Sequence, residues 1–422
     1  VAIWPLFYLG VNARKVKKHK IAFLSLFLCG LSWNLFGQLG CTDPYASNYN
    51  AAATINDGSC VYPVTHNTPI LRGELSALIP ESSGVMLTDG KLWTHNDSGN
   101  PNTFFSIDTS DGHTLQTVYI DNFPNIDWED ITADSNYIYL GDHGNNNGDR
   151  TDLKVLKVAK ADIGNNAVVH VNATAISFSY ADQTSFVSSS THNFDCEALI
   201  SIRDSLYIFT KDRGDHQTRV YKMPKTPGNY VLSPYTSFNV NGLITGADYN
   251  NLTQEIILIG YFSGHTNSFL WLLNDYQGDM FFSGNKRRIE IGNGQEWQTE
   301  GVCWIDSNRF YISNESAGNI NASLFISKKD WQHPVFVFNN TTHNHINISP
   351  NPAQQYLYID NIESACNYRI INTFGQIVSE GILNKGSNKI DVSMQINGLY
   401  FVSIQETKQT NPSTTLQFIK KQ

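Results

Sequence analysis

The chain has 422 residues, with 29 basic against 38 acidic side chains; 41% are apolar and only 16% charged. That composition excludes a disordered tail or a coiled coil, and the length points to two or three domains. The first 37 positions hold five basic residues and no acid. Without them, 24 basic face 38 acidic residues, a charge of −14 that excludes an electrostatic nucleic-acid binder.

Arg14, Lys15, Lys17, Lys18 and Lys20 form a basic region, followed by the apolar run Ile21 to Phe36 and the small residue Gly37. Residues 1–37 therefore read as a secretory signal removed after Gly37. As a membrane anchor the run would barely span a bilayer. No Met precedes Met86, so Val1 reads as a non-standard start or an over-extended frame, and residues 1–13 are not interpreted.

Residues 38–64 contain Gly40-Cys41-Thr42-Asp43-Pro44 and, further on, Asn56-Asp57-Gly58-Ser59-Cys60. Export to an oxidising compartment favours a Cys41–Cys60 disulfide worth about 3 kcal/mol. The segment resembles a short module that follows the signal in many exported bacterial proteins. Asp43, Asn48, Asn50, Asn56 and Asp57 offer oxygens either to Ca²⁺ or to turns. Cys196, Cys303 and Cys366 read as single buried thiols, with no CxxC to suggest zinc.

Residues 68–338 repeat one grammar: an apolar strand, a polar turn, an aromatic-rich strand, then a polar loop. The units start at Ser83, Glu129, Glu197, Thr245 and Glu300. Each is followed by a third strand, such as Thr103 to Ile107 or Arg219 to Met223, and a weaker fourth. Four short strands at a period near fifty residues predict an all-β fold, a β-propeller of five blades, with six as the alternative. A sandwich of short strands is the competing arrangement. Ile70 to Leu75 is expected to close the ring against the last blade near Pro334 to Phe338.

The start of each first strand and the end of each second strand share one end of the channel. The first position holds Glu129, Glu197 and Glu300, flanked by Asp127 and Asp130; the second holds Asp97, Asp142, Asp212 and Glu315. A rim of crowded carboxylates calls for protons or a cation, with Ca²⁺ as the natural guest. Alternatively these side chains cap turns and pair with Lys211, Arg213 and Arg150. Thr299-Glu300-Gly301-Val302-Cys303-Trp304-Ile305-Asp306 resembles the opening strand of calcium-dependent propeller hydrolases of the gluconolactonase and paraoxonase type. That resemblance implies Glu300 as a metal residue, with Glu129 and Glu197 as positional equivalents; the families' remaining ligands have no counterpart here. Asp127-Trp128-Glu129-Asp130, Phe194 to Ala198 and Leu243 to Asp248 resemble exported propellers that carry the same kind of tail.

The Asn/Thr/His-rich stretch 339–347, with His343 and His345, reads as a linker. Residues 348–422 alternate short strands and turns, a small Ig-like β-sandwich. Pro350-Asn351-Pro352, the turn at Gly375, Gly398-Leu399-Tyr400 and the end Lys420-Lys421 resemble the type IX secretion C-terminal sorting domain. The resemblance implies contact with the type IX machinery, removal of the tail, and release or retention at the outer-membrane surface.

HExxH, GxSxG and Walker A motifs are absent, and no nucleophile or proton-transfer pair stands out. The expected function is a non-catalytic surface propeller that binds a glycan, peptide or small molecule. The alternative is a calcium-dependent hydrolase of lactones or phosphoesters.

Overall fold

Residues 37–262, 264–292, 297–330, 346–372, 377–406 and 414–421 are described by a computed structural model. The expected signal up to Phe36, the strand expected near Pro334 to Phe338, His343, His345 and Gly375 lie outside them.

Strand alternation decides where each apolar side chain goes. In Glu255–Phe262, Ile256 and Leu258 pack with Ile200, Tyr207 and Phe209 on one side. Ile257 and Ile259 pack with Val302, Phe310 and Ile312 on the other. A strand covered on both faces reads as a continuous apolar run, which is what Ile256 to Ile259 is.

Repeated around the chain, this gives five sheets in a closed ring. Blade I holds Ser82–Thr88, Lys91–Asn96, Thr103–Ile107 and Thr114–Ile120. Blade II holds Trp128–Ala133, Tyr137–Asp142, Lys154–Ala159 and Thr174–Tyr180. Blade III holds Cys196–Ile202, Ser205–Thr210, Gln217–Pro224 and Pro234–Asn239. Blade IV holds Leu243–Asn250, Glu255–Phe262, Thr266–Asn274 and Asn285–Glu290. Blade V holds Thr299–Trp304, Arg309–Asn314, Ser323–Lys328 and, outermost, Ile70–Glu74.

The first strands of blades I to V neighbour one another in order, and blade V returns to blade I. Each blade interface holds its own apolar cluster, so the core is a ring of five wedges. The protein is a five-bladed β-propeller followed by a β-sandwich. Ile70–Glu74 closes the ring on the last blade as expected, antiparallel to Ser323–Lys328, and is the fourth described strand of blade V.

The long spacing between blades II and III holds no sixth blade among the described residues. Part of it, Val168–Val171, runs parallel beside the outer strand of blade I. Gly228–Leu232 covers blade II in the same way, and His66 bridges to Glu290 on blade IV. Such additions shield edges that would otherwise offer unpaired backbone groups.

The Cys41–Cys60 disulfide is present. Its module docks on blade IV: Asn56 donates to Asp275 at 2.7 Å and to Asn285 at 2.8 Å, and Lys286 donates to the Gly58 carbonyl. The oxygens considered for Ca²⁺ or for turns accept hydrogen bonds within the module. Asp43 accepts from Tyr45 N–H and Tyr62 O–H, and Asn48, Asn50, Asn56 and Asp57 each accept a nearby backbone N–H. Cys196, Cys303 and Cys366 are buried and unbridged.

In the C-terminal part, a sheet of Asn347–Ser349, Tyr356–Ile362 and Gly386–Asp391 shares one core with a second sheet. That second sheet contains Ile377–Leu383, Cys366–Asn372, Gly398–Glu406 and Thr414–Lys420. The two ends of the expected sorting signal meet: Asn351 accepts from Ile419 N–H, Lys421 N–H donates to Ala353, and Gly398 pairs with Lys420.

Candidate functional site: an acidic cup at one channel mouth

Every innermost strand carries a register break near its start. The breaks fall between Ser82 and Val85, Trp128 and Asp130, Cys196 and Ala198, Ile244 and Gly246, and Thr299 and Gly301. A bulge inserts an unpaired residue and re-aims its side chain. In blades II, III and V the inserted residue is Glu129, Glu197 or Glu300, and in blade IV it is Thr245.

Just past the bulge the inner strands nearly touch. A Cβ on Gly246 would lie 2.2 Å from the Glu300 carbonyl, and one on Gly301 would lie 2.8 Å from Val85 N. Blade II has Asp130 at this level. Its carboxylate accepts from Ile131 N–H, from Leu199 N–H of blade III at 2.8 Å, and from Ala247 N–H of blade IV at 3.4 Å. Asp130 thereby ties three blades together at the waist of the channel.

Above the waist lies a cavity of about 230 Å³. Asp97, Glu129, Glu197, Glu300 and Glu315 line it, with Lys211, Arg213 and Tyr261 among them. Asp97, Asp127 and Glu129 bring one carboxylate oxygen each within 4.8 Å of one another; so do Glu129, Asp195 and Glu197, so Glu129 belongs to both groups. The second group already has its counter-charges. Lys211 Nζ donates to Glu197 at 2.7 Å, and Arg213 donates twice to Asp195 at 2.9 and 3.1 Å. The Glu129 carboxylate, on a residue only 3% exposed, has no hydrogen bond or ion pair among the described residues. Gly144 makes room for it: a Cβ there would stand 2.0 Å from Glu129 Oε1 and 2.5 Å from Asp127 Oδ2.

Burial and mutual repulsion push these acids toward protonation. Asp127 is raised to about 7 by burial and then by Asp97 and Asp195. Burial raises Glu129 well above the carboxylate range, and Glu197 and Asp97 add to it. Burial takes Glu300 to about 7 against the pull of Lys211, and Glu315 to about 10 with Glu300 and Asp97 contributing. Glu300 Oε2 is buried with no hydrogen-bond partner among the described residues.

Of the six residues expected to hold a metal, Asp97, Glu129, Glu197 and Glu300 meet in this cavity. Glu300, the residue marked by the hydrolase resemblance, falls outside both tight carboxylate groups. Asp142 and Asp212 do not line the cup. Asp142 pairs with Arg150 at 2.9 Å and Lys154 at 3.2 Å, and Asp212 pairs with Arg219.

The register supplies the reason. Asn96, Asp142, Thr210 and Asn314 occupy one cross-strand position, and the next residue is the one that reaches the mouth. That next residue is Asp97, His143, Lys211 or Glu315. Asp142 is thus one place early and Asp212 one place late. His143 is buried instead, with Nδ1 at 2.9 Å from the Cys196 carbonyl, and burial pushes it down to about 3.

Sequence reasoning did not single out Asp195, Gln298 or Tyr261 as members of the site. A signal was present: Asp127-x-Glu129, Asp195-x-Glu197 and Gln298-x-Glu300 repeat a polar residue two places before the bulge.

Residues 347–421 match the secretion system C-terminal sorting domain family. This tail directs export by type IX secretion, through contact with its machinery, to the cell surface or the medium. No helix among the described residues is long and apolar enough to cross a membrane. No curated protein matches the chain.

Among solved structures, the chain is similar to an exo-β-1,3-galactanase from Phanerochaete chrysosporium (9% identity, 83% of this chain, 99% of that one, TM-score 0.42). It is also similar to the aldose sugar dehydrogenase of Streptomyces coelicolor (9%, 63% and 100%, TM-score 0.39). A third is PorZ, a surface component of the type IX secretion system of Porphyromonas gingivalis (10%, 83% and 46%, TM-score 0.29).

Proposed function

We propose that this protein is a non-catalytic binding propeller, exported to the surface or released, whose acidic cup holds one Ca²⁺ at Asp97, Asp127 and Glu129. The observation that carries this reading is Glu129: a buried carboxylate without a partner, beside two further carboxylates. A buried charge is costly unless it is paired or neutralised. The donor set is all oxygen, which suits a hard cation, and no thiol or imidazole lies in the group. Lys211 and Arg213 pair with the neighbouring group, whereas here Arg150 reaches only Asp127, at 4.0 Å, and leaves Glu129 to an external cation.

The second reading, a calcium-dependent hydrolase of lactones or phosphoesters, draws on Glu300, whose value of about 7 suits proton transfer near neutral pH. Elemental analysis of the exported protein, then a lactone and phosphoester panel with and without chelator, separates the two. Binding alone predicts one Ca²⁺ per chain and no turnover. Chelator-sensitive turnover would establish the hydrolase instead, and absence of bound or bindable Ca²⁺ would remove both.

A further inference from the structure

We infer that the other half of the cup, around Glu300, receives the primary ammonium group of an amino sugar; this rests on the cation reading above.

The first ground is space. At about 230 Å³, the cavity has room for roughly seven waters at about 30 Å³ each. That is more than a lone cation held by three carboxylates requires.

The second ground is charge. Five acids line the cup against Lys211 and Arg213. Lys211 and Arg213 are engaged by Glu197 and Asp195, so among the described residues no cation is bonded to Glu300 or Glu315.

The third ground is an acceptor without a donor. Glu300 is 3% exposed, lines the cup, and keeps Oε2 free of any hydrogen bond among the described residues. Beside it, Gln298 Nε2 donates to Glu315 Oε2 and holds that second carboxylate in place. A group with several N–H donors and one positive charge satisfies this corner best.

The walls then choose the carrier. Among the described residues, no aliphatic side chain lines the cup. The four-carbon stem of a lysine would lie against polar groups and gain nothing from burial. A ring bearing hydroxyls instead meets a polar lining, Tyr261 and Gln298 included.

The test is calorimetric titration of the full, Ca²⁺-loaded protein with glucosamine, N-acetylglucosamine, glucose and Nα-acetyl-lysine amide. Glucosamine should bind at least tenfold more tightly than each of the other three, and Glu300→Gln should weaken it at least tenfold. The ligand comparison needs no variant, so it stands even if Glu300→Gln misfolds. Equal binding of N-acetylglucosamine, tighter binding of the lysine amide, or Ca²⁺ binding without glucosamine binding overturns the inference alone. Failure of Ca²⁺ to bind overturns the cation reading and this inference with it.

Discussion

The two mouths of the channel carry similar residues and treat them differently. At the mouth opposite the cup, the first hairpins of all five blades surround a cavity of about 520 Å³ that also contains several acids. There a lysine that follows the third strand of one blade reaches back to the preceding blade. Lys160 meets Asp89 at 2.9 Å, Lys225 meets Asp134 at 3.1 Å, and Lys329 meets Glu255 at 2.5 Å. Asp248 accepts backbone N–H groups from Tyr249 and Trp304. Acids that serve the fold thus come with a partner at a repeated position, whereas the Glu129 carboxylate has none among the described residues. The contrast separates carboxylates that staple blades from the one that the proposed Ca²⁺ would neutralise.

Removing a staple should have the largest effect. Lys329 and Glu255 are almost fully buried, with side chains 5% and 8% exposed. Lys329→Met strands a buried charge and should cost about 3–5 kcal/mol in denaturant unfolding followed by tryptophan fluorescence. Ca²⁺ binding should be unaffected, and a loss of it would break the distinction between the mouths.

Calcium comes next, and its effect depends on pH. Asp127 and Glu300, near 7 when folded, hold protons more tightly than in the unfolded chain. Their stabilisation is full at acid pH and is lost as pH rises through about 7. His95 and His143 oppose this: burial lowers them to about 4 and 3, so their contribution is full above about 6.5 and is lost as pH falls toward those values. Ca²⁺ at a hundredfold excess over its Kd should add about 2.7 kcal/mol at pH 8. It should add far less at pH 5, where protons already occupy the cup. Equal gains at both pH values would contradict the site.

Glu129→Gln should shift stability in the opposite sense to Lys329→Met. In chelator at pH 8 it relieves an unpaired buried charge and should raise unfolding free energy by about 1 kcal/mol. A loss of comparable size would make Glu129 another staple. The smallest change belongs to Asp89, whose side chain is 69% exposed. Asp89→Asn should stay within about 0.5 kcal/mol in the same measurement.

Much of this architecture was legible in the residues. Runs such as Ile256 to Ile259 announce strands buried on both faces, and the unit starts fall at or next to the bulges. Asp142 and Asp212 stand off the mouth because they lie one place before and one place after the second-strand position that reaches it, an offset set by the cross-strand register. Composition carries no such register. The partners Arg150, Lys211 and Arg213 were legible, but not which acid each takes: Arg150 reaches Asp142 across a loop, and Lys211 meets Glu197 across a hairpin. The tail was the reverse case, since its motif order lies in the sequence itself and the matched family covers residues 347–421.

The central claim is that one unpartnered carboxylate marks a cation site, and the most direct test is calorimetric titration of Ca²⁺ into chelator-treated full-length protein beside Glu129→Gln. The account predicts a single site in the wild type and an affinity at least tenfold weaker in the variant. Equal affinities in the two proteins, or no binding in either, would contradict it.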